Sequence, residues 1–192
     1  VEEFRQLGIP VYADMGTGYF GAQEIQTVVS FLKVIENPHQ DIPLAALLLS
    51  PAVGLTSREL AEIRLVRREG DLYESLVCCG RRGPQELRKP IRRLLKDLRA
   101  FRQQAQKDSL ENIILTFYEK TGYLMLAGAM PGGAQRQANL WAMVQRARQF
   151  EENTAKGIYA FLKYLEGLEE SKSDLSPAAI MGEKDDLVRI MT

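Results

Sequence analysis

Residues 16–21 read Gly-Thr-Gly-Tyr-Phe-Gly, a G-x-G-x-x-G run of the kind that cradles a dinucleotide pyrophosphate. IPVYAD before it has the composition of a strand, and AQEIQTVVSFLKVIEN after it has helical spacing, so the immediate frame suits that chemistry. The wider frame does not. A dinucleotide fold needs a second parallel strand ending in an acid for the ribose, whereas here the helix leads through NPHQD into another helical run. Tyr19 and Phe20 also place bulk where backbone must press against phosphate. An NAD or FAD site is therefore set aside, and the run reads as a turn whose two aromatics pack onto the next helix.

Other reactive sets are sparse. His39 is the sole histidine, which rules out a His-based metal cluster or a Ser–His–Asp set, and in its polar loop it reads as a solvated side chain. Glu151-Glu152 and Glu169-Glu170 are paired carboxylates on charge-rich helices, where a solvated face explains them better than acid–base work. No G-x-x-x-x-G-K-[ST] run is present to hold a triphosphate. Cys78 and Cys79 are adjacent, a spacing that fits reduced thiols in a cytosolic interior better than a disulfide or a metal site. By itself the chain is expected to catalyse nothing and to carry no metal or cofactor.

Charge is the more informative signal. Twenty-five Lys and Arg balance twenty-five Asp and Glu, but not evenly. From Arg81 to Lys107 ten cations face only Glu86 and Asp97, a local net charge of +8, and the stretch from Glu151 to Asp186 leans acidic. Arg88, Lys89, Arg92, Lys96 and Arg99 could track phosphates without reading bases, giving salt-sensitive, sequence-neutral affinity. The alternative is a solvated amphipathic face, or one paired with the acidic helices from Glu151 to Glu170.

The elements that would position these groups are mainly helical. EEFRQLG suggests a short helix stopped by Gly8, followed by the IPVYAD strand. Ile25, Val28, Val29, Leu32 and Ile35 form a helical stripe ended by Asn37-Pro38. Asp41 is placed to cap the apolar run IPLAALLL. Thr56-Ser57-Arg58-Glu59 is a capping box opening a helix with Leu60, Ile63 and Val66 inward, ending near Gly70. Asp71 opens DLYESLVCC, and GRRGPQ reads as a loop. A long amphipathic helix follows, with Ile91, Leu94, Leu95, Leu98 and Phe101 inward and Pro90 in its first turns. Asp108-x-x-Glu111 signals the next helix, stopped at Gly122, and MPGGAQ is a turn. Helices cover NLWAMVQRARQF and GIYAFLKYLEGL, SKSDLSPAAIMGEKDD reads as a linker, and LVRIMT as a strand. The pattern predicts seven or more helices bracketed by one short strand at each end. Two isolated strands do not make a stable sheet alone, so they read as edges of a larger one. The first residue is Val rather than Met, and the chain is expected to be an excerpt.

In that order of elements, GIPVYADMGTGYFGAQEIQTVVSFLKVIENPHQDIPLAALLLSP resembles the stretch of UvrD-like superfamily 1 DNA helicases that runs from GIPY through a Gly- and Phe-containing turn to an E-I helix. DLVRIMT is similar to the strand that opens the family's next helicase motif. The middle, YEKTGYLMLAGAMPGGAQRQANLWAMVQRARQFE and GIYAFLKYLEGLEE, closely resembles the A subunit of AddAB-type helicase–nucleases.

The resemblance implies that residues 1–40 and 186–192 are pieces of the second RecA-like motor domain, and that 41–185 form a helical insertion of the 2B type. Tyr19, Phe20 and Glu24 then occupy the family's aromatic-plus-acid positions. Gly54, Leu55 and Thr56, followed by Ser57 and Arg58, match the Gly-Ile-Gly turn by which relatives meet duplex phosphates; the second glycine is here Thr56, and Val53 stands where relatives often carry a basic residue. The Thr56 hydroxyl can bond a phosphate or cap its helix. Thr192 begins a motif that contacts single strands in relatives. ATP, Mg, the nuclease centre and a B subunit belong, on this reading, to a parent enzyme in the bacterial cytosol, with no membrane partner. The segment would guide duplex DNA and pack in the heterodimer; the alternative is a protein–protein scaffold that touches no DNA.

Overall fold

The computed structural model describes residues 11–13, 19–153, 157–170 and 188–190. The expected helix over EEFRQLG, the linker over 171–186 and Thr192 lie outside them. The architecture is mainly α, as its periodicity implies. A 3₁₀ turn at Tyr19–Gly21 leads into nine α-helices among the described residues: α1 Gln23–Glu36, α2 Asp41–Leu49, α3 Ser57–Val66, α4 Leu72–Arg82, α5 Gln85–Gln104, α6 Leu110–Thr121, α7 Tyr123–Ala129, α8 Gly133–Asn153 and α9 Ile158–Glu170. Strands β1, Val11–Ala13, and β2, Val188–Ile190, pair in parallel with Val11 opposite Val188. A parallel pair needs a long crossover, and the helices supply it.

Helix α1 is the hub. It packs against α2, α5, α8 and α9. The expected single apolar stripe is therefore only part of what it buries: Glu24, Thr27, Ser30, Phe31 and Val34 are covered as well as Ile25, Val28, Leu32 and Ile35, while Val29 is half-buried. Besides Val29, only a narrow stripe of the helix, Gln23, Gln26, Lys33 and Glu36, is left exposed or half-buried, so the covered face is wider than a single apolar stripe. Phe31 stacks on Phe117 of α6 at 4.1 Å between centroids and meets Phe101 of α5 edge-on at 4.9 Å. These contacts join three helices at one point, and aromatic pairs of this geometry add to area burial.

Local chemistry explains most boundaries, with four corrections. Asp41 does not cap α2; its carboxylate accepts from the Leu72 N–H at 2.8 Å, holding the start of α4 beside α2. Arg81 and Arg82 are the last turn of α4, not a loop, and only Gly83-Pro84 separates α4 from α5. Helix α3 ends at Val66 rather than near Gly70. At α6 the cap is Ser109, whose hydroxyl accepts from the Asn112 N–H, which leaves Glu111 to pair with Arg148 of α8. Gly122 stops α6 with φ 67°, as expected. The short α7 then turns back onto α8 at Gly133, where a Cβ would collide with the Gly128 carbonyl. Glycine there permits close approach of the two helices.

Candidate nucleic-acid interface

The basic helix α5 owes its position to its apolar side. Leu87, Ile91, Leu95, Leu98 and Phe101 are buried, and Leu94 is half-buried. At 3.6 residues per turn, Arg88, Arg92, Lys96 and Arg99 then share one flank of the helix. Arg92, Lys96 and Arg99 are exposed; Arg88 is half-buried, and its Nε has no hydrogen-bond partner among the described residues. Lys89 stands exposed on the outer crest.

The structure adds a cation that the loop reading had displaced. Because Arg81 ends α4, it comes alongside α5. Arg81, Arg92, Lys96 and Arg99 line one groove of 240 Å³, floored by Val77, Gly80 and Leu95. Arg92 Nε donates to the Gly80 carbonyl at 2.6 Å, which fixes its guanidinium at the C-terminal end of α4, where a cation complements the helix dipole. None of these four side chains makes an ion pair with a described residue.

The acidic helices pair elsewhere. Glu151 accepts from the Leu110 N–H at 3.0 Å, Glu111 holds Arg148 through both oxygens, and Glu166 sits 3.3 Å from Lys33 and 2.8 Å from Lys163. Pairing of α5 with the acidic stretch is thus not what the described residues show.

The Gly54 turn is built more tightly than its glycine suggests. Gly54 adopts φ 78°, and a Cβ there would meet nothing, so the requirement is conformational rather than steric. Its N–H donates to the Ser50 carbonyl at 2.7 Å and that of Leu55 to the Leu48 carbonyl at 3.0 Å. The Thr56 N–H and hydroxyl both donate to Glu59 Oε2, at 2.8 and 2.7 Å, while the hydroxyl accepts from the Glu59 N–H. The capping box is therefore complete. The Thr56 backbone N–H, and then its hydroxyl, hold the Glu59 carboxyl below the usual carboxylate value, so a negative charge stays at the mouth of α3. An anion approaching this turn would find the N–H groups of Gly54, Leu55 and Thr56 already engaged, and would be met by the exposed Ser57 and Arg58. Arg58 itself pairs with Glu62 at 3.1 Å.

Tyr19, Phe20 and Glu24 lie apart from both features and are buried. Glu24 bonds Arg136 at 2.7 Å through one oxygen and Asn139 Nδ2 at 2.7 Å through the other. The Tyr19 hydroxyl donates to the Asn139 carbonyl at 3.1 Å, and the Arg146 guanidinium lies 3.9 Å from the centre of the Tyr19 ring. Burial pushes the Tyr19 hydroxyl up, with Arg146 opposing it, and the phenol stays protonated. These residues join the start of α1 to α8. Arg136, Asn139 and Arg146 were not legible as partners, because nothing in their local pattern marks a contact more than 100 residues away in sequence.

His39 is exposed, as its loop implied, but its ring is not without partners. Its Nδ1 lies 2.6 Å from Asp71 Oδ2, and its ring meets Tyr73 edge-on at 5.1 Å. Among the described residues no group of three or more His, Cys, Asp or Glu is placed to hold a metal.

The basic groove and the Gly54 turn lie against different flanks of α5. The comparisons with known proteins name the group to which the chain is related. No family model matches the chain. Curated relatives do. Over all 192 residues the chain is 47% identical to the A subunit of the ATP-dependent helicase/nuclease from Pelotomaculum thermopropionicum, and 44% identical to its counterpart from Desulforamulus reducens. It is 42% identical over 194 residues to the counterpart from Bacillus licheniformis. The whole chain is thus homologous to a segment of the A subunits of ATP-dependent helicase/nucleases, as the resemblance in its residues implied. It spans about 15% of the length of these relatives. No described helix is long and apolar enough to cross a membrane.

Proposed function

We propose that the chain serves as the non-catalytic helical insertion in the A subunit of an ATP-dependent helicase/nuclease, guiding duplex DNA ahead of the motor. On this reading residues 41–185 form the insertion, and residues 1–40 and 186–192 belong to the second RecA-like motor domain. The parallel pairing of β1 with β2 supports that division, because it lets the helices leave a sheet and return to a neighbouring strand. ATP hydrolysis, Mg and strand cleavage belong to the rest of the enzyme. Its protein partner is a B subunit, which the A designation of the relatives suggests.

The observation that carries the DNA part is the groove of Arg81, Arg92, Lys96 and Arg99, exposed and without acidic partners among the described residues. Such a surface neutralises phosphates without reading bases, so affinity should be salt-dependent and indifferent to sequence. The test is a fluorescence-anisotropy titration of a blunt duplex against the chain over a range of salt. Arg92→Glu with Lys96→Glu should weaken binding at low salt and flatten the salt slope, equally for unrelated duplex sequences. Unchanged affinity would leave the scaffold reading, in which the surface docks protein alone.

A further inference from the structure

Helix α5 has a second flank, and it is built differently. Opposite the Arg92 row, Leu94, Leu98 and Phe101 open onto a groove of 490 Å³, closed on its other sides by Phe31, Phe117 and the turn carrying Val53. That volume lies within the roughly 300–1,000 Å³ typical of ligand clefts. Its floor is aliphatic and aromatic. Its rim is cationic: Lys89, Arg93 and Lys120 are all exposed there, against the single carboxylate of Asp97.

We infer that this groove is a docking site for an acidic amphipathic segment of a partner protein, which inserts aliphatic side chains over Leu94 and Leu98 and sets carboxylates against Lys89, Arg93 and Lys120. Three features select that occupant. The rim carries three positive groups to one negative, so an acidic strand is complementary and a basic one is repelled. The floor suits an aliphatic anchor better than a nucleobase: Phe31, Phe101 and Phe117 are each no more than 4% exposed, and the Lys120 ammonium already lies 4.7 Å from the centre of the Phe101 ring. Single-strand recognition depends on open ring faces for stacking, and none is offered here. The remaining polar side chain, Thr121, directs its hydroxyl to the Phe117 carbonyl at 2.7 Å and so gives a base edge nothing to read.

The proposal does not rest on the DNA reading, because it uses the other flank of α5 and a different set of cations. The 192-residue chain would be titrated with a fluorescein-labelled amphipathic peptide of Glu, Leu and Ala, its leucines one helical turn apart. The expected result is saturable binding, weakened roughly tenfold by Arg93→Glu with Lys120→Glu and lost when the peptide's Glu residues are replaced by Lys. Ala52→Trp, which plugs the groove from the turn, should weaken binding as well; should that variant misfold by circular dichroism, the charge-reversed pair still decides. Absence of saturable binding, equal binding by the charge-reversed chain, or displacement of the peptide by a single-stranded oligonucleotide would each overturn the inference. Loss of duplex binding with the peptide still bound would remove only the DNA reading.

Discussion

Two clusters of charge in this chain use the same residue types to opposite ends. At the start of α1, Glu24 is 4% exposed and satisfied by Arg136 and Asn139. Along α5, Arg92, Lys96 and Arg99 are exposed and have no ion-pair partner among the described residues. A buried charge must be neutralised where it sits, and removing one partner strands the other, so the first cluster is a matter of stability. An exposed row of like charges contributes little to folding and remains available to a ligand. Charge in a sequence thus marks function only after burial has been taken into account.

The largest break in that contrast should come from Glu24→Ala. Removing the carboxylate that both Arg136 and Asn139 bond should cost about 3 kcal/mol or more, a fall in Tm of roughly 10 °C for a chain of this size, read by thermal circular dichroism. A cost under about 1 kcal/mol would mean that the network is no more than decoration. Next comes the triple change Arg92→Glu, Lys96→Glu, Arg99→Glu. Duplex affinity at low salt should fall by roughly a hundredfold and the salt slope flatten by about 3, with stability shifted by only about 0.5 kcal/mol per site. Should the melting temperature fall instead, the row belongs with the buried cluster. Thr56→Ala sharpens the middle of the comparison, since it deletes the cap but no exposed cation; about 1 kcal/mol of stability should be lost in urea titrations.

The smallest effect is that of acid. Glu59, Asp71 and Glu166 all titrate below their ordinary values. For Glu59 the Thr56 bonds are the cause, and for Glu166 the bonds from Lys163 and then Lys33. At Asp71 burial pushes upward, but the hydrogen bonds from His39 and the Glu74 N–H outweigh it. Folded values below unfolded ones mean that the unfolded chain takes up protons first, so stability is complete above the ordinary values of 4.5, 3.8 and 4.5 and is lost as pH falls beneath them. Denaturant midpoints measured from about pH 7 to about pH 3 should fall only below about pH 5, and Thr56→Ala should remove only the hydroxyl's part of the Glu59 share, since the backbone N–H at position 56 remains.

Much of the fold was legible because spacing encodes burial. Ile91, Leu95, Leu98 and Phe101 recur at helical intervals, and α5 turns that side inward. Thr56 and Glu59 stand three apart, and the capping box forms. What local pattern could not show was competition for a group. Asp41 had two helix starts within reach and serves the later one; Ser109 displaced Asp108 as a cap. Helix α7 escaped notice because seven residues, with a glycine among them, carry too little periodicity. The cation row was visible as composition, yet the groove needed Arg81, which enters it only because α4 runs past its expected end. The division of α5 into a basic flank and an apolar, cation-rimmed flank depends on neighbours contributed by α1, α2 and α6, and no window of sequence contains them.

The aromatic junction of Phe31, Phe101 and Phe117 has a mechanical consequence. Helix α5 cannot slide or roll there without drawing the Phe101 ring off Phe31, which is itself stacked on Phe117. Its side chains therefore behave as marks on a rigid ruler, spaced by the rise of the helix at about 6 Å for every four residues. If duplex DNA lies along it, as proposed, the DNA must supply the compliance, so its stiffness, more than its lettering, would set how well the two match.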